Sequence, residues 1–291
     1  MTGAQPKRVL IFGASGTAGQ GAVRASIDAG HEVSCVLRSP RDLPAGCDAI
    51  IADVTNPLQI AREFDVVVSC LASRTGTPQD AWAIDHDAQL NVLNWAKAAG
   101  VEQFVLLSAI CVQKPKLPFQ HAKLAFEKSL IESGLTYSIV RPTAFFKSLS
   151  GQLARVLAGK PFLVFGDGRL TACKPISDDD LGRFIVGCID DPTRRNQVLP
   201  IGGPGEPISP MQQAEALFDM IGKPMNVQRV PVSLLSTIYR VLQVIGLVVP
   251  KAAEKASLAR IGHYYATESM LVWDAEAGRY DGAATPSTGS E

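Results

Sequence analysis

Residues 11–19 read IFGASGTAG. The apolar run 9–12 leads straight into Gly13, Gly16 and Gly19, spaced three apart. Past Gly19 the pattern turns helical: Val23 and Ile27 lie four apart, and Gly30 stands where a helix-ending glycine would. Strand, glycine-rich turn and helix together open a βαβ unit of the kind that holds a nucleotide. The glycines let the backbone turn sharply and approach a pyrophosphate, and the helix N-terminus presents N–H groups to its charge. The commoner dinucleotide spacing is GxGxxG and this one is GxxGxxG, so the flanking strand and helix carry the reading.

Outward from this turn, Glu32–Leu37 reads as the second strand and ends in Arg38, Ser39, Pro40 and Arg41. NAD-binding folds place an acid near this point for the ribose 2′-hydroxyl. Here Arg38 stands instead, a cation suited to a 2′-phosphate, which favours NADPH over NADH. A short strand at 49–52 precedes Asp53. Residues 65–70 (DVVVSC) form a β-branched run of the kind buried on both faces. Leu71, Ala72 and Ser73 follow at its carboxyl end, where open α/β sheets bind ligands. A helix at 83–99, a strand at 103–108 and another at 137–140 complete an alternating order that predicts an α/β fold with a doubly wound parallel sheet.

The composition bounds the rest. The chain has 291 residues, 46% of them hydrophobic, with a formal net charge of zero and an isoelectric point near 6.9. There is no global electrostatic case for nucleic acid. The six cysteines lie far apart without a CxxC pair, so neither a metal site nor a disulfide framework follows and buried reduced thiols are expected. The first seven residues are too short and polar for a signal peptide.

After Pro142 the rhythm breaks into glycines and short apolar pieces. A helix is expected at 176–189, opening at Ser177 with three acids in its first turn, then a strand at 198–201 and a helix at 210–221. Residues 230–249 are strongly apolar and approach the ~20 residues of a membrane span. Ser233, Ser236, Arg240 and Gln243 nevertheless mark one polar face, so an amphipathic helix is expected, covering a ligand or resting on a membrane surface. These readings divide the chain into a nucleotide-binding domain at 1–165 with return elements at 170–203, a small, mostly helical C-terminal lobe at 204–280, and a disordered tail at 281–291.

Short-chain dehydrogenases set a Tyr four residues before a Lys on one helix. The corresponding pentapeptide here runs Phe119, Gln120, His121, Ala122, Lys123. Lys123 is the candidate catalytic residue, and Glu127 one turn on is its expected ion-pair partner. Ser108 closes the fifth strand as a contact candidate, with Ala109 the alternative register.

GASGTAG, Asp53, VVSCLAS, LSAICVQKP, Lys123-x-x-x-Glu127 and IVRPTAFF resemble the atypical and extended short-chain dehydrogenase/reductases of the NAD(P)-binding Rossmann superfamily. FGDGRLTACKPISDDDL, NQVLPIGGPGEPISP and IGHYYATESMLVWD resemble, more closely, the family of divinyl chlorophyllide 8-vinyl reductases. That resemblance implies NADPH-dependent reduction of a tetrapyrrole 8-vinyl group to ethyl, in a bacterial, cytoplasmic protein that can touch the photosynthetic membrane peripherally. It also implies roles. Gly13, Ala14, Ser15, Gly16, Thr17 and Gly19 would hold the pyrophosphate, Arg38 the 2′-phosphate and Asp53 the adenine. Leu71, Ala72, Ser108, Lys123, Pro142 and Thr143 would line the ribose and nicotinamide. Phe119, Phe145, Phe146, His263, Tyr264 and Tyr265 would face the substrate. A sugar-nucleotide epimerase or carbonyl reductase, and a non-catalytic NADPH-sensing or assembly protein, stay open as alternatives. Phe119 speaks against the first, because carbonyl chemistry wants the tyrosine proton donor.

Overall fold

The computed structural model describes residues 5–146, 150–246, 248–281 and 285–286. The strands are β1 (Arg8–Phe12), β2 (Glu32–Leu37), β3 (Cys47–Ile51), β4 (Val66–Ser69), β5 (Gln103–Leu107), β6 (Thr136–Pro142), β7 (Phe162–Phe165), β8 (Gln197–Gly202), β9 (Val227–Val230), β10 (Val272–Asp274), β11 (Arg279–Asp281) and β12 (Thr285–Pro286). Eight of them form one parallel sheet in the order β12-β8-β6-β5-β4-β1-β2-β3. The expected doubly wound α/β sheet is present. Strand order reverses between β1 and β4, the place in such sheets where ligands bind.

Alternation along the strands explains the layers. Val9 and Ile11 of β1 join Val66, Val68, Val105 and Val140 in the core under one face. Leu10 and Phe12 join Val67, Phe104, Leu106 and Ile139 under the other. Helix α1 (Thr17–Asp28) covers the first face. The second is covered by a helical run that starts as α2 (Pro78–Ala81), passes through a π-helical stretch at Trp82–Ala88 and continues as α3 (Gln89–Ala98), together with α4 (Pro118–Ile131). Helix α5 (Asp178–Asp190) returns to the first face, its N-terminus capped by the Ser177 hydroxyl, which accepts from the Asp180 N–H at 3.0 Å.

The lobe differs from its expected bounds. β7 pairs in parallel with β9, and Phe162 and Val164 pack with Met211 and Phe218 of α6 (Pro210–Met220). Residues 162–165, assigned from sequence to the nucleotide domain, thus pair and pack with segments assigned to the lobe. The apolar segment 230–249 forms α7 (Val232–Gly246), which packs against α8 (Pro250–Thr267). Among the described residues no helix is long and apolar enough to cross a membrane. The tail expected to be disordered is ordered in part. Asp281 ends β11, and Thr285 and Pro286 pair with Ile201 and Gly202 of β8; residues 282–284 and 287–291 lie outside the described residues.

Candidate active site

Gly13 follows β1 with φ +73°, and a Cβ there would stand 2.5 Å from the Cys70 carbonyl oxygen just after β4. A Cβ on Gly19 would stand 2.2 Å from the Gly13 carbonyl oxygen. The turn thus closes on itself with no room for side chains. No side chain caps α1, whose N-cap is Gly16. A bare, uncapped helix start over the sheet's switch point is the arrangement that accepts a phosphate.

Two adjoining cavities run outward from this turn. The outer one, of about 350 Å³, is walled by Gly13, Ser15, Gly16, Leu71 and Ala72, with Arg38 beside them. The inner one, of about 610 Å³, shares Gly16, Leu71 and Ala72 and adds Thr17, Gly19, Ser108, Phe119, Lys123 and Phe145. The sequence-predicted residues Ser15, Gly16, Thr17, Gly19, Arg38, Leu71, Ala72, Ser108, Phe119 and Lys123 are therefore gathered along one groove. Ala14 is buried and faces a separate cleft with Arg41. Asp53 is exposed, and its carboxylate accepts from Thr55 N–H at 3.0 Å, Thr55 Oγ1 at 2.8 Å and Asn56 Nδ2 at 3.1 Å; those bonds, Thr55 foremost, hold it below the usual carboxylate range. Its neighbours Ala52, Val54 and Thr55 line the outer cavity in its place.

The expected Lys123–Glu127 pair does not form. Glu127 instead binds Arg141, which reaches it from β6, and accepts from the Ser108 hydroxyl. Lys123 Nζ lies 3.0 Å from Asp85 Oδ1, in the π-helical stretch. The four-residue spacing of Lys123 and Glu127 permits a pair, but tertiary neighbours supply closer partners to both. Phe119 and Lys123, one turn apart on α4, share the inner cavity as the pentapeptide predicts. Cys70 lies at the same wall, and burial pushes its thiol up to about 12, so it is neutral there despite the nearby Lys123.

A third cavity, of about 400 Å³, opens from the inner one through shared Ser108, Ala109, Phe145 and Tyr265. Pro142 and Thr143, expected beside the nicotinamide, line this cavity and not the one that holds Lys123. The Thr143 hydroxyl is already bonded to the Lys174 carbonyl. Ile110, Ala144, Ile208 and Met270 make the wall largely apolar. Tyr265 borders three cavities: the inner one, the third, and a fourth of about 310 Å³ on the lobe side, walled by Phe162, Val164 and Gln213. The residue is 44% exposed, yet it borders these cavities; desolvation, with Cys111 beside it, raises the phenol well above its usual range.

Three other substrate candidates are placed elsewhere. Phe146 is exposed and lines none of these cavities. His263 lines none either. Tyr264 is buried, its hydroxyl donating to the carbonyls of Cys111 at 3.0 Å and Lys114 at 3.2 Å. Each step of one residue along a helix rotates the side chain by about 100°, so Tyr264 and Tyr265 point in different directions. Helix α7 also lines none of them; α8, which it backs, supplies Ile261, Gly262 and Tyr265. Two distant motifs meet here. Gln113 Oε1 accepts from Trp273 N–H at 2.8 Å, and Lys114 Nζ lies 2.9 Å from Glu268. Burial alone would raise the Glu268 carboxyl, but Lys114, Lys116 and Tyr280 outweigh it and hold it at about 2.

Sequence reading missed Asp85 and Arg74, both on cavity walls. Asp85 had a legible signal: it lies seven residues before Val92, which is four before Ala96, so helical spacing places a carboxylate on the face of these apolar residues.

A family model described as NAD(P)H-binding matches residues 13–192, and the fold and the turn agree: the chain is a Rossmann-type NAD(P)H-binding protein. It is 44% identical to the divinyl chlorophyllide a 8-vinyl-reductase of Arabidopsis thaliana, over 97% of this chain and 74% of the relative. The chain belongs to the divinyl chlorophyllide a 8-vinyl-reductase family. It is also 27% identical to the photosystem II assembly factor Ycf39 of Guillardia theta, over 78% of this chain and 74% of that one. Among solved structures, a UDP-glucose 4-epimerase of Thermotoga maritima matches with TM-score 0.67 and 20% identity over 77% of this chain and 85% of that chain, a likeness of fold.

Proposed function

We propose that this chain reduces the 8-vinyl group of divinyl chlorophyllide a, or its protochlorophyllide counterpart, to ethyl with NADPH. The observation that carries the reading is Phe119 one turn from Lys123 on a cavity that opens into a second, apolar one. The bare glycine turn and the groove beyond it fit a dinucleotide. NADPH, when bound, supplies a hydride. Lys123 faces the reacting end of the groove and orients the cofactor, while Phe119, Phe145 and Tyr265 seat a flat apolar ring and exclude water. A carbonyl substrate would need an acid at position 119. A vinyl group on a conjugated macrocycle does not, because the charge left after hydride delivery to its terminal carbon spreads through the ring and carbon can take a solvent proton.

The test is divinyl chlorophyllide a with NADPH, product resolved by chromatography. Deuterated NADPH in ordinary water should place its label in the methyl of the new ethyl group. Cofactor binding without turnover would favour a sensor or assembly protein. Label on the inner carbon, or a Phe119→Tyr variant that becomes much faster, would reverse the assigned polarity.

Arg38 supports the choice of NADPH, since no acid occupies the end of β2. A charge-assisted phosphate contact contributes roughly 1.5–3 kcal/mol, so Arg38→Ala should narrow the NADPH preference over NADH by about ten- to a hundredfold. Equal affinities in the unmodified protein would exclude the assignment.

Peripheral contact with the photosynthetic membrane is supported by α7 and the turn after it. Leu234, Ile238, Val241, Ile245 and Val248 recur at helical spacing and stand 38–85% exposed, with Arg240, Lys251 and Lys255 exposed nearby. The protein should sediment with anionic lipid vesicles, and the double variant Val241→Asp, Ile245→Asp should stay in the supernatant.

A further inference from the structure

Four buried side-chain atoms among the described residues lack a protein hydrogen-bond partner: Ser26 Oγ, His31 Nε2, Asp85 Oδ2 and Asp178 Oδ1. Of these four residues, only Asp85 lines the inner cavity. Asp85 is 1% exposed. Its other oxygen, Oδ1, is occupied by Lys123 Nζ at 3.0 Å and by the Ser73 N–H at 3.3 Å. The residue sits inside the π-helical stretch Trp82–Ala88, which departs from the α-helical geometry of α2 and α3 on either side. Such stretches concentrate at functional sites, because the extra residue per turn re-aims a side chain. A buried carboxylate oxygen left without a donor is costly, and native proteins rarely keep one without a use.

We propose that Asp85 is a cofactor-positioning residue: Oδ1 fixes Lys123 at the cavity wall, and Oδ2 accepts a hydrogen bond from a hydroxyl of the nicotinamide ribose. The inference rests on the inner cavity being the nicotinamide end. The donors present at that end of a reduced dinucleotide are ribose hydroxyls and the carboxamide, and a ribose diol beside an ammonium and a carboxylate oxygen finds both an acceptor and a donor. The Ser73 bond adds a second constraint, tying the loop after β4 to the same carboxylate. Asp85 thus couples three pieces of wall from three parts of the chain.

The test compares two ligands by direct titration: NADPH, and adenosine 2′,5′-bisphosphate, which lacks the nicotinamide ribose. Asp85→Asn keeps the size and one acceptor but removes the charge. It should weaken NADPH by about ten- to a hundredfold, as expected for one charged hydrogen bond, and leave the bisphosphate unchanged. Unchanged affinity for both ligands overturns the proposal. Equal weakening of both also overturns it, since Asp85 would then act through the fold. Should Asp85→Asn not fold, Asp85→Glu keeps the charge but displaces the oxygens, and should show the same split between the ligands. If the unmodified protein binds NADPH no more tightly than the bisphosphate, the cavity is not the nicotinamide end, and both readings fall together. Turnover is not needed for any arm, so loss of the vinyl-reductase reading alone leaves the Asp85 result interpretable.

Discussion

Gly19→Ala is expected to cost nucleotide binding about ten- to a hundredfold, while Gly16→Ala weakens it far less. The Cβ of an alanine at 19 would stand 2.2 Å from the Gly13 carbonyl oxygen, 2.9 Å from its carbon and 3.0 Å from Ala14 Cα, all backbone. Gly13 cannot withdraw, because it is itself held at φ +73° against the Cys70 carbonyl. The turn would have to open, moving α1 away from the phosphate position. Overpacking of this kind costs roughly 1–3 kcal/mol and sometimes more, and 1.4 kcal/mol is about tenfold in affinity. At Gly16 the nearest contact is 3.3 Å, a distance a small shift relieves. Fluorescence titration with NADPH, with folding checked by circular dichroism, measures the ranking. Equal affinities of the two variants would refute the turn geometry as the source of binding.

The adjacent tyrosines should separate cleanly. Tyr264 is 4% exposed, packs with Ile110, Cys111, Leu117 and Met270, and bonds two carbonyls of the 108–117 segment. Tyr264→Ala should lower stability by about 3–5 kcal/mol, the range for deleting a buried aromatic ring. Tyr264→Phe keeps the ring and should lose about 1–2 kcal/mol with the hydroxyl. Tyr265→Ala should leave stability nearly unchanged and raise KM for the tetrapyrrole about tenfold, since its ring borders the three cavities and stacking contributes roughly 0.5–1.5 kcal/mol beyond burial. NADPH affinity should move little. A Tyr265→Ala protein with the parent KM would place the macrocycle elsewhere, and a stable Tyr264→Ala protein would contradict its place in the core.

The chain's own order determined the nucleotide fold. Glycines 13, 16 and 19, the DVVVSC run and the FxxxK pentapeptide report local requirements: a turn without side chains, a strand buried on two faces, and two side chains on one helical turn. Such features depend on neighbours within a few residues, so they survive reading in one dimension. Family membership was legible for the same reason, in motifs such as IGHYYATESMLVWD. What those motifs do was not. Only the tertiary structure decided that Lys123 pairs with Asp85 across 38 positions of sequence while Glu127 turns to Arg141. An i,i+4 spacing makes a pair possible, but burial selects the partner that desolvates both charges together. Only the folded chain separated Tyr264 from Tyr265, because the face of α8 that points inward is set by what packs on it. The same holds for 162–165, four residues whose strand exists because β9, more than sixty positions later, offers its edge.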